Sequence, residues 1–315
     1  MRGARSRPAP ASPSAPSYTA AGTVGALVAV LMWGAASVLA KSADHVDGLT
    51  LAFHRLWVGA AAMLVIYTVR GGRLRARLLW AAVPAGIAFA ADIGLFFTAV
   101  KHTTVANATM ISALQPALVL FVAGPLFGER VRASDVGWTI VALLGVVVVV
   151  FGSASTPSWS LFGDVLAVLC LFAWTAYFVF GKQARAKLDA VEFVTAMSLV
   201  AFVVIAVVAV GSRHDLSVPD GGTWAVILAL GLGTGGIGHF LINWAHGHAP
   251  LVLTSLLTLL IPVVAMAGAA IFLGEEVVAA QVVGAVVVLG ALAILVWRRQ
   301  PEEPDLPLEV AEQPL

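Results

Sequence analysis

Arg55 and Asp92 are formal charges set inside long apolar stretches of a 315-residue chain. A charge in hydrocarbon costs about 2.5 kcal/mol or more, so such a group pairs with another, faces water, or binds something. Counted along helices, both residues lie about 7 to 9 Å below one surface. Two readings stand for two opposite charges at one depth. Either they form an ion pair tying neighbouring helices together, or Asp92 faces a cavity as a site for a substrate amine or a proton; a third is that one of them snorkels alone. His239 sits in another small-residue apolar stretch, about 12 Å in from the opposite face, and an imidazole can change charge near neutral pH. One titratable group near each mouth suits a proton-coupled exchanger, while a packed, neutral histidine is the plainer reading. Gln115, Asn107, Thr258 and Asn243 add neutral polar groups of the kind that orient a small molecule in an apolar pocket. Trp33, Trp174 and Tyr177 could stack on an aromatic or cationic solute, or serve helix packing and the interface.

Other chemistries find less support. No Ser-His-Asp spacing, paired carboxylates or metal-ligand cluster is present, so no catalytic residue, metal or cofactor is expected. An intramembrane enzyme acting on a lipid-linked or small hydrophobic substrate remains the alternative from another functional class. Gly231, Gly233 and Gly236 spell G-x-G-x-x-G, but inside an apolar span and after no strand, so close helix packing explains them better than a nucleotide. His246 and His248 read as a solvated loop, and the lone Cys170 as a small hydrophobe.

The elements that must hold these residues are membrane helices. With 60% hydrophobic residues, 11% charged and a mean hydropathy of +0.96, the chain has too little polar surface for a soluble globule. A span needs about 20 apolar residues. By that rule helices are expected near 21–41, 50–69, 78–98, 103–127, 134–151, 162–181, 190–211, 223–245, 250–273 and 277–297. Alternating the loops between two sides places 14 of the 18 Lys and Arg on one of them. The positive-inside rule then puts both termini in the cytoplasm of a multi-pass protein of the cell membrane. The lipid bilayer and a small-molecule substrate are the expected partners, and nucleic acid is not. Residues 1–20 and the acidic residues 298–315 read as disordered tails.

The chain also repeats itself. PALVLFVAGPLFGE, from Pro116 to Glu129, returns 146 residues later as PVVAMAGAAIFLGE, from Pro262 to Glu275. The same offset brings Asp92 to within one position of His239. Each copy is an apolar helix kinked by its proline and stopped by Gly-Glu. Paired, interrupted helices in matching positions are the strongest sequence pointer to a transporter's binding site. Five spans per half, an odd number, make the repeat inverted. The halves are residues 21–152 and 153–297. Glu129 and Glu275 read as helix-end groups.

On these residues the chain resembles the drug/metabolite transporter superfamily, specifically its EamA type. The likeness is carried by Trp33-Gly34, Arg55, Pro116 with Gly128-Glu129, Gly163-Asp164, Trp174 and Tyr177, Pro262 with Gly274-Glu275, and Gln281 with Gly284. It implies an all-α membrane fold of ten helices in two inverted five-helix repeats, with a central cavity lined mainly by helices one, three, four, six, eight and nine. It also implies transport of small metabolites, often outward, by alternating access, and the Trp, Asn, Gln, Asp and His named above are compatible with amino acids, aromatic metabolites, amines or drugs as the solute. One departure is that Ala196 stands in the second half where the first has Arg55.

Overall fold

Apolar runs bounded by Asp, Ser and Gly dictate where the helices of this computed structural model begin and end. It describes residues 20–43, 46–103, 105–152, 160–218, 220–274 and 276–298. Within that range the side chains of Lys41 and Asn107 are outside the description, as are Glu275 and both tails. The described residues are nearly all helical. In chain order they form α1 (Ala20–Ser42), α2 (Gly48–Val69), α3 (Ala76–His102), α4 (Val105–Ser112), α5 (Gln115–Phe127), α6 (Ala133–Phe151) and α7 (Leu161–Arg185). There follow α8 (Ala190–Gly211), α9 (Gly221–Leu228), α10 (His239–His246), α11 (Leu251–Leu257), α12 (Ile261–Leu273) and α13 (Ala279–Arg298). A π-helical segment, Ala229–Gly238, joins α9 to α10, and a 3₁₀ turn, Thr258–Leu260, joins α11 to α12. Nine described stretches are long and apolar enough to cross a membrane, and Ala20–Ala36 is a shorter tenth. Val24, Leu31, Phe121, Phe172, Val207, Ile271 and Val286 stay exposed around the bundle, an apolar girdle that fits lipid. The result is a multi-pass membrane protein of ten helices in two inverted five-helix repeats.

The packing follows the repeat. Of the helices in the second half, α7 lies on α3 as α10 lies on α1, α8 lies on α2, α11 on α5, and α13 on α6. Exchanging the halves maps this contact pattern onto itself, as a pseudo-two-fold axis in the membrane plane requires. The stop signals repeat as well. Gly128 and Gly274, the first residues beyond α5 and α12, adopt φ of 65° and 67°, the left-handed conformation that glycine reaches without strain.

Each Pro helix breaks ahead of its proline. Pro116 is the second residue of α5 and Pro262 the second of α12, so the interruptions fall at Ala113–Leu114 and at the 3₁₀ turn. A proline in the first turn of a helix lacks only a donor that had no partner there, so the helix restarts at the proline. Helix α3 runs on to His102, past the expected end near 98, because no glycine or proline stops it. The glycine-rich stretch of the eighth span is wound as the π segment, a geometry that its hydrophobicity did not announce.

Alternate helix ends gather on two faces. One face carries the ends at Phe127, Arg185, His246 and Leu251, with the arginine-rich loops. The other carries Asp47, Thr103 and His214. There Asp47 caps α2, accepting from the amides of Leu49 at 2.8 Å and Thr50 at 3.1 Å, and lies 2.8 Å from His214 Nε2. Burial pushes its carboxyl up, but the summed hydrogen bonds from Thr50, His214 and Leu49 hold it below the usual carboxylate value. Such a depressed group contributes stability at neutral pH that is lost as pH falls through its lowered value. Asp47→Asn should therefore flatten the acid side of a plot of thermal midpoint against pH, and an unchanged plot would count against the cap.

At the crossing of α6 and α13, Gly145 and Gly284 bring two backbones together. A Cβ on Gly284 would lie 2.7 Å from the Gly145 carbonyl oxygen and 2.8 Å from the Val149 nitrogen. Backbone cannot yield there, so Gly284→Val should cost about 1–3 kcal/mol. Gly290→Val on the same helix, where nothing lies within 4 Å, is the matched control. Thermal unfolding in detergent should separate the two, and equal midpoints would contradict the close crossing.

Candidate functional site

The broken helices meet α1, α2, α3, α7 and the start of α10 around a cavity of about 180 Å³. Its wall combines Trp33 and Ala36 of α1, Arg55 of α2, Asp92, Phe96 and Phe97 of α3, and Ser112 of α4. Cys170 and Trp174 of α7, His239, and Thr258 with Pro262 also line it, with Ile93, Ala113, Ile261 and Ala265 between them. Arg55, Asp92, Ser112 and Cys170 fall in the half of the bundle farther from the arginine-rich face, Trp33, Trp174 and Pro262 near its middle, and His239 and Thr258 in the nearer half.

Local sequence explains how each group arrives there. The π segment packs against α2, with a Cβ on Gly231 lying only 3.1 Å from the Arg55 carbonyl oxygen, and His239 is the first residue after it. The segment thus delivers His239 to the same wall as Arg55. π-Helical turns recur at functional sites because they shift the face that the following residues present. On the two broken helices, Ser112 and Thr258 each stand four residues before a proline and 146 residues apart. The repeat therefore places one hydroxyl on each side of the cavity. Thr258 Oγ1 donates to the Ser255 carbonyl at 2.6 Å, whereas Ser112 Oγ is buried without a partner.

Arg55 and Asp92 do not make an ion pair. Both line the cavity, and Arg55 Nε has no hydrogen-bond partner while its guanidinium carbon lies 5.8 Å from the Phe97 ring centroid. Asp92 accepts instead from the Cys170 thiol, with Sγ 3.3 Å from Oδ1. Cys170 is thus a wall residue beside a carboxylate, where its sequence context suggested a packing hydrophobe. Two opposite charges that face one cavity without direct contact present a solute with both signs. The aromatic side is built from Trp33 and Trp174, whose rings meet edge to face at 6.4 Å, and Trp33 also lies 4.9 Å from the His239 ring.

The remaining sequence-selected groups stand behind the wall. Tyr177 and Asn243 are fully buried, and Tyr177 reaches the site at His239. Asn243 Nδ2 donates to the Tyr177 hydroxyl at 2.7 Å, and that hydroxyl lies 2.9 Å from His239 Nδ1. Gln115 is fully buried at the start of α5 with both amide atoms unpartnered, off the cavity wall. Pro116 follows it there, whereas Pro262 reaches the wall. His246, expected in a solvated loop, is 3% exposed, because α10 continues to it and turns it inward against Phe178. Among the described residues, no group of three or more His, Cys, Asp or Glu is placed to hold a metal.

At the arginine-rich face a polar cluster ties three helices together. The Glu129 carboxylate accepts from the amides of Leu251 at 2.6 Å and Val252 at 3.0 Å, capping α11. Lys182 Nζ lies 3.0 Å from Glu129 Oε1 and donates to the Ala249 carbonyl at 2.9 Å. A residue read as a simple helix end thereby clamps the end of α5 to α7 and α11.

A ten-helix inverted repeat enclosing a charged, aromatic-walled cavity defines a polytopic membrane transporter. Residues 20–151 and 161–297 each match the EamA-like transporter family, and the chain belongs to that family. It is a transporter rather than an enzyme. It is 25% identical over 286 residues, 86% of this chain and 93% of the other, to a probable amino-acid metabolite efflux pump of Salmonella typhimurium. It is 26% identical over 231 residues, 70% of this chain and 76% of the other, to the aromatic amino acid exporter YddG of Ancylobacter novellus. A solved crystal structure superposes with a TM-score of 0.78 over 89% of this chain and 98% of that one, at 22% identity, a likeness of fold.

Proposed function

We propose that this chain exports amino acids and related amines or aromatic metabolites by alternating access, driven by a proton gradient. The observation that carries this reading is the unpaired presentation of Arg55 and Asp92 in one aromatic-walled cavity. A zwitterion satisfies both charges at once, its carboxylate at Arg55 and its ammonium at Asp92, with the side chain against Trp33 and Trp174. The names of the similar efflux pump and aromatic amino acid exporter support the same substrate class.

Asp92 also supplies the coupling. It holds either a proton or the solute's ammonium, so proton entry from one side displaces solute bound from the other. The uneven distribution of Lys and Arg supports cytoplasmic termini and a place in the cell membrane, with the arginine-rich face inside. The repeats at residues 21–152 and 153–297 are the units that rock against each other. Purified protein in liposomes tests this: uptake of labelled tryptophan should accelerate when the interior is acid. Flux indifferent to the gradient would remove the coupling, and no flux of any amino acid would remove the substrate class.

A further inference from the structure

The file Asn243, Tyr177 and His239 leads inward from packed core to cavity, and its hydrogens can be assigned one by one. Asn243 Nδ2 carries two hydrogens and has two acceptors at 2.7 Å, the Tyr177 hydroxyl and the His239 carbonyl. The Tyr177 oxygen therefore accepts from Asn243 and keeps one hydrogen to give, and His239 Nδ1 stands 2.9 Å away. Tyr177 is fully buried. The opposite assignment, with Nδ1 donating, would leave the hydroxyl hydrogen with no acceptor in a dry site, a loss of about 1–3 kcal/mol. So Nδ1 carries the lone pair and the ring's remaining hydrogen sits on Nε2. His239 is on the cavity wall, and Nε2 is not among the buried atoms left without a partner. Its N–H is available to a solute.

The charged and titratable groups around that wall are Arg55 from α2, Asp92 from α3, and Cys170 and Tyr177 from α7. We infer that His239 is a neutral donor of fixed tautomer that joins Arg55 in selecting the solute's carboxylate, with Tyr177 and Asn243 as positioning residues. The inference rests on the amino-acid reading above and deepens it. It also separates two roles. A second proton on Nδ1 would face the Tyr177 hydroxyl hydrogen, which has no other acceptor, so His239 stays neutral and proton exchange is left to Asp92.

Binding of tryptophan and of tryptamine, its decarboxylated amine, to the purified protein in detergent tests the selectivity. A hydrogen bond to a charged group contributes about 1.5–3 kcal/mol, so His239→Phe should weaken tryptophan binding about tenfold or more and leave tryptamine nearly unchanged. His239→Gln, whose Nε2 amide hydrogen can stand in for the imidazole N–H, should keep most of the preference. Tyr177→Phe should lose part of it. Nitrogen NMR of labelled protein should show Nδ1 unprotonated and Nε2 protonated, with that preference weakened in Tyr177→Phe. Gln and Phe variants that weaken both ligands alike would overturn the donor role, as would an imidazolium or an Nδ1–H form in the spectrum. Protein that binds neither ligand would bring down the carboxylate selection together with the amino-acid reading, whereas the spectrum decides the tautomer whatever the solute.

Discussion

Asp92→Asn should lower transport of an amino acid by about 100-fold or more while leaving the amount of protein in the membrane little changed. The size follows from the site. Removing one partner of a close, desolvated charge pair costs about 2–5 kcal/mol, and each 1.4 kcal/mol is a factor of ten. Asparagine has nearly the volume of aspartate and can still accept from the Cys170 thiol, so the wall between α3 and α7 keeps its packing. What it loses is the charge that would hold the ammonium and the group that would carry the proton. Acceleration by an acid interior should vanish with it. If Asp92 serves only to balance Arg55 within the fold, the variant should instead show less folded protein and ordinary kinetics in what remains. Kinetics in liposomes at matched protein content distinguish the two, and an unchanged KM and maximal rate would remove Asp92 from the mechanism.

Glu129→Gln is expected to shift the carrier toward the state open on the arginine-rich face. The carboxylate gathers two amides of α11 and the Lys182 ammonium into one clamp, and the two side chains are 8% and 17% exposed. The amide variant keeps one acceptor oxygen and forfeits the charge, a loss of about 1.5–3 kcal/mol of charge-assisted bonding. In a two-state carrier this moves the ratio of the states by about tenfold or more. Ser112 offers a reporter on the cavity wall: Ser112→Cys in a Cys170→Ala background, treated with a membrane-impermeant thiol reagent from either side. Glu129→Gln should speed labelling from the arginine-rich side and slow it from the other. Equal rates with and without the substitution would mean that the clamp is a helix cap and not a gate.

The architecture was open to view in the sequence because two strong signals agree. Apolar length marks the spans, and the offset linking Pro116 to Pro262 and Glu129 to Glu275 marks the duplication. Residues whose presence needs a physical excuse were visible too. Charge inside a span drew attention to Arg55 and Asp92, and both line the cavity. What stayed hidden is what depends on the neighbour across the bundle. Glu129 looks like a helix end until α11 is seen starting against it. Cys170 looks like a small apolar residue until Asp92 stands opposite. Tyr177 looks like a stacking surface, but its ring lies behind the wall and its hydroxyl holds His239. Ser112 was recoverable, since the 146-residue offset maps it onto Thr258, but a serine in an apolar helix attracts no notice alone. The π segment left no periodic trace, because its five glycines are interspersed with small and apolar residues that make no polar face.

Counterflow bears most directly on the central claim that one charged cavity is exposed to each side of the membrane in turn. Liposomes holding purified protein and a high internal concentration of unlabelled tryptophan are diluted into a trace of labelled tryptophan with no ion gradient. An alternating carrier returns labelled from outside as fast as it delivers unlabelled from inside. Label should therefore overshoot its equilibrium level and then decay, and Asp92→Asn should abolish the overshoot. Label that rises only to equilibrium, with or without internal tryptophan, would contradict an alternating site.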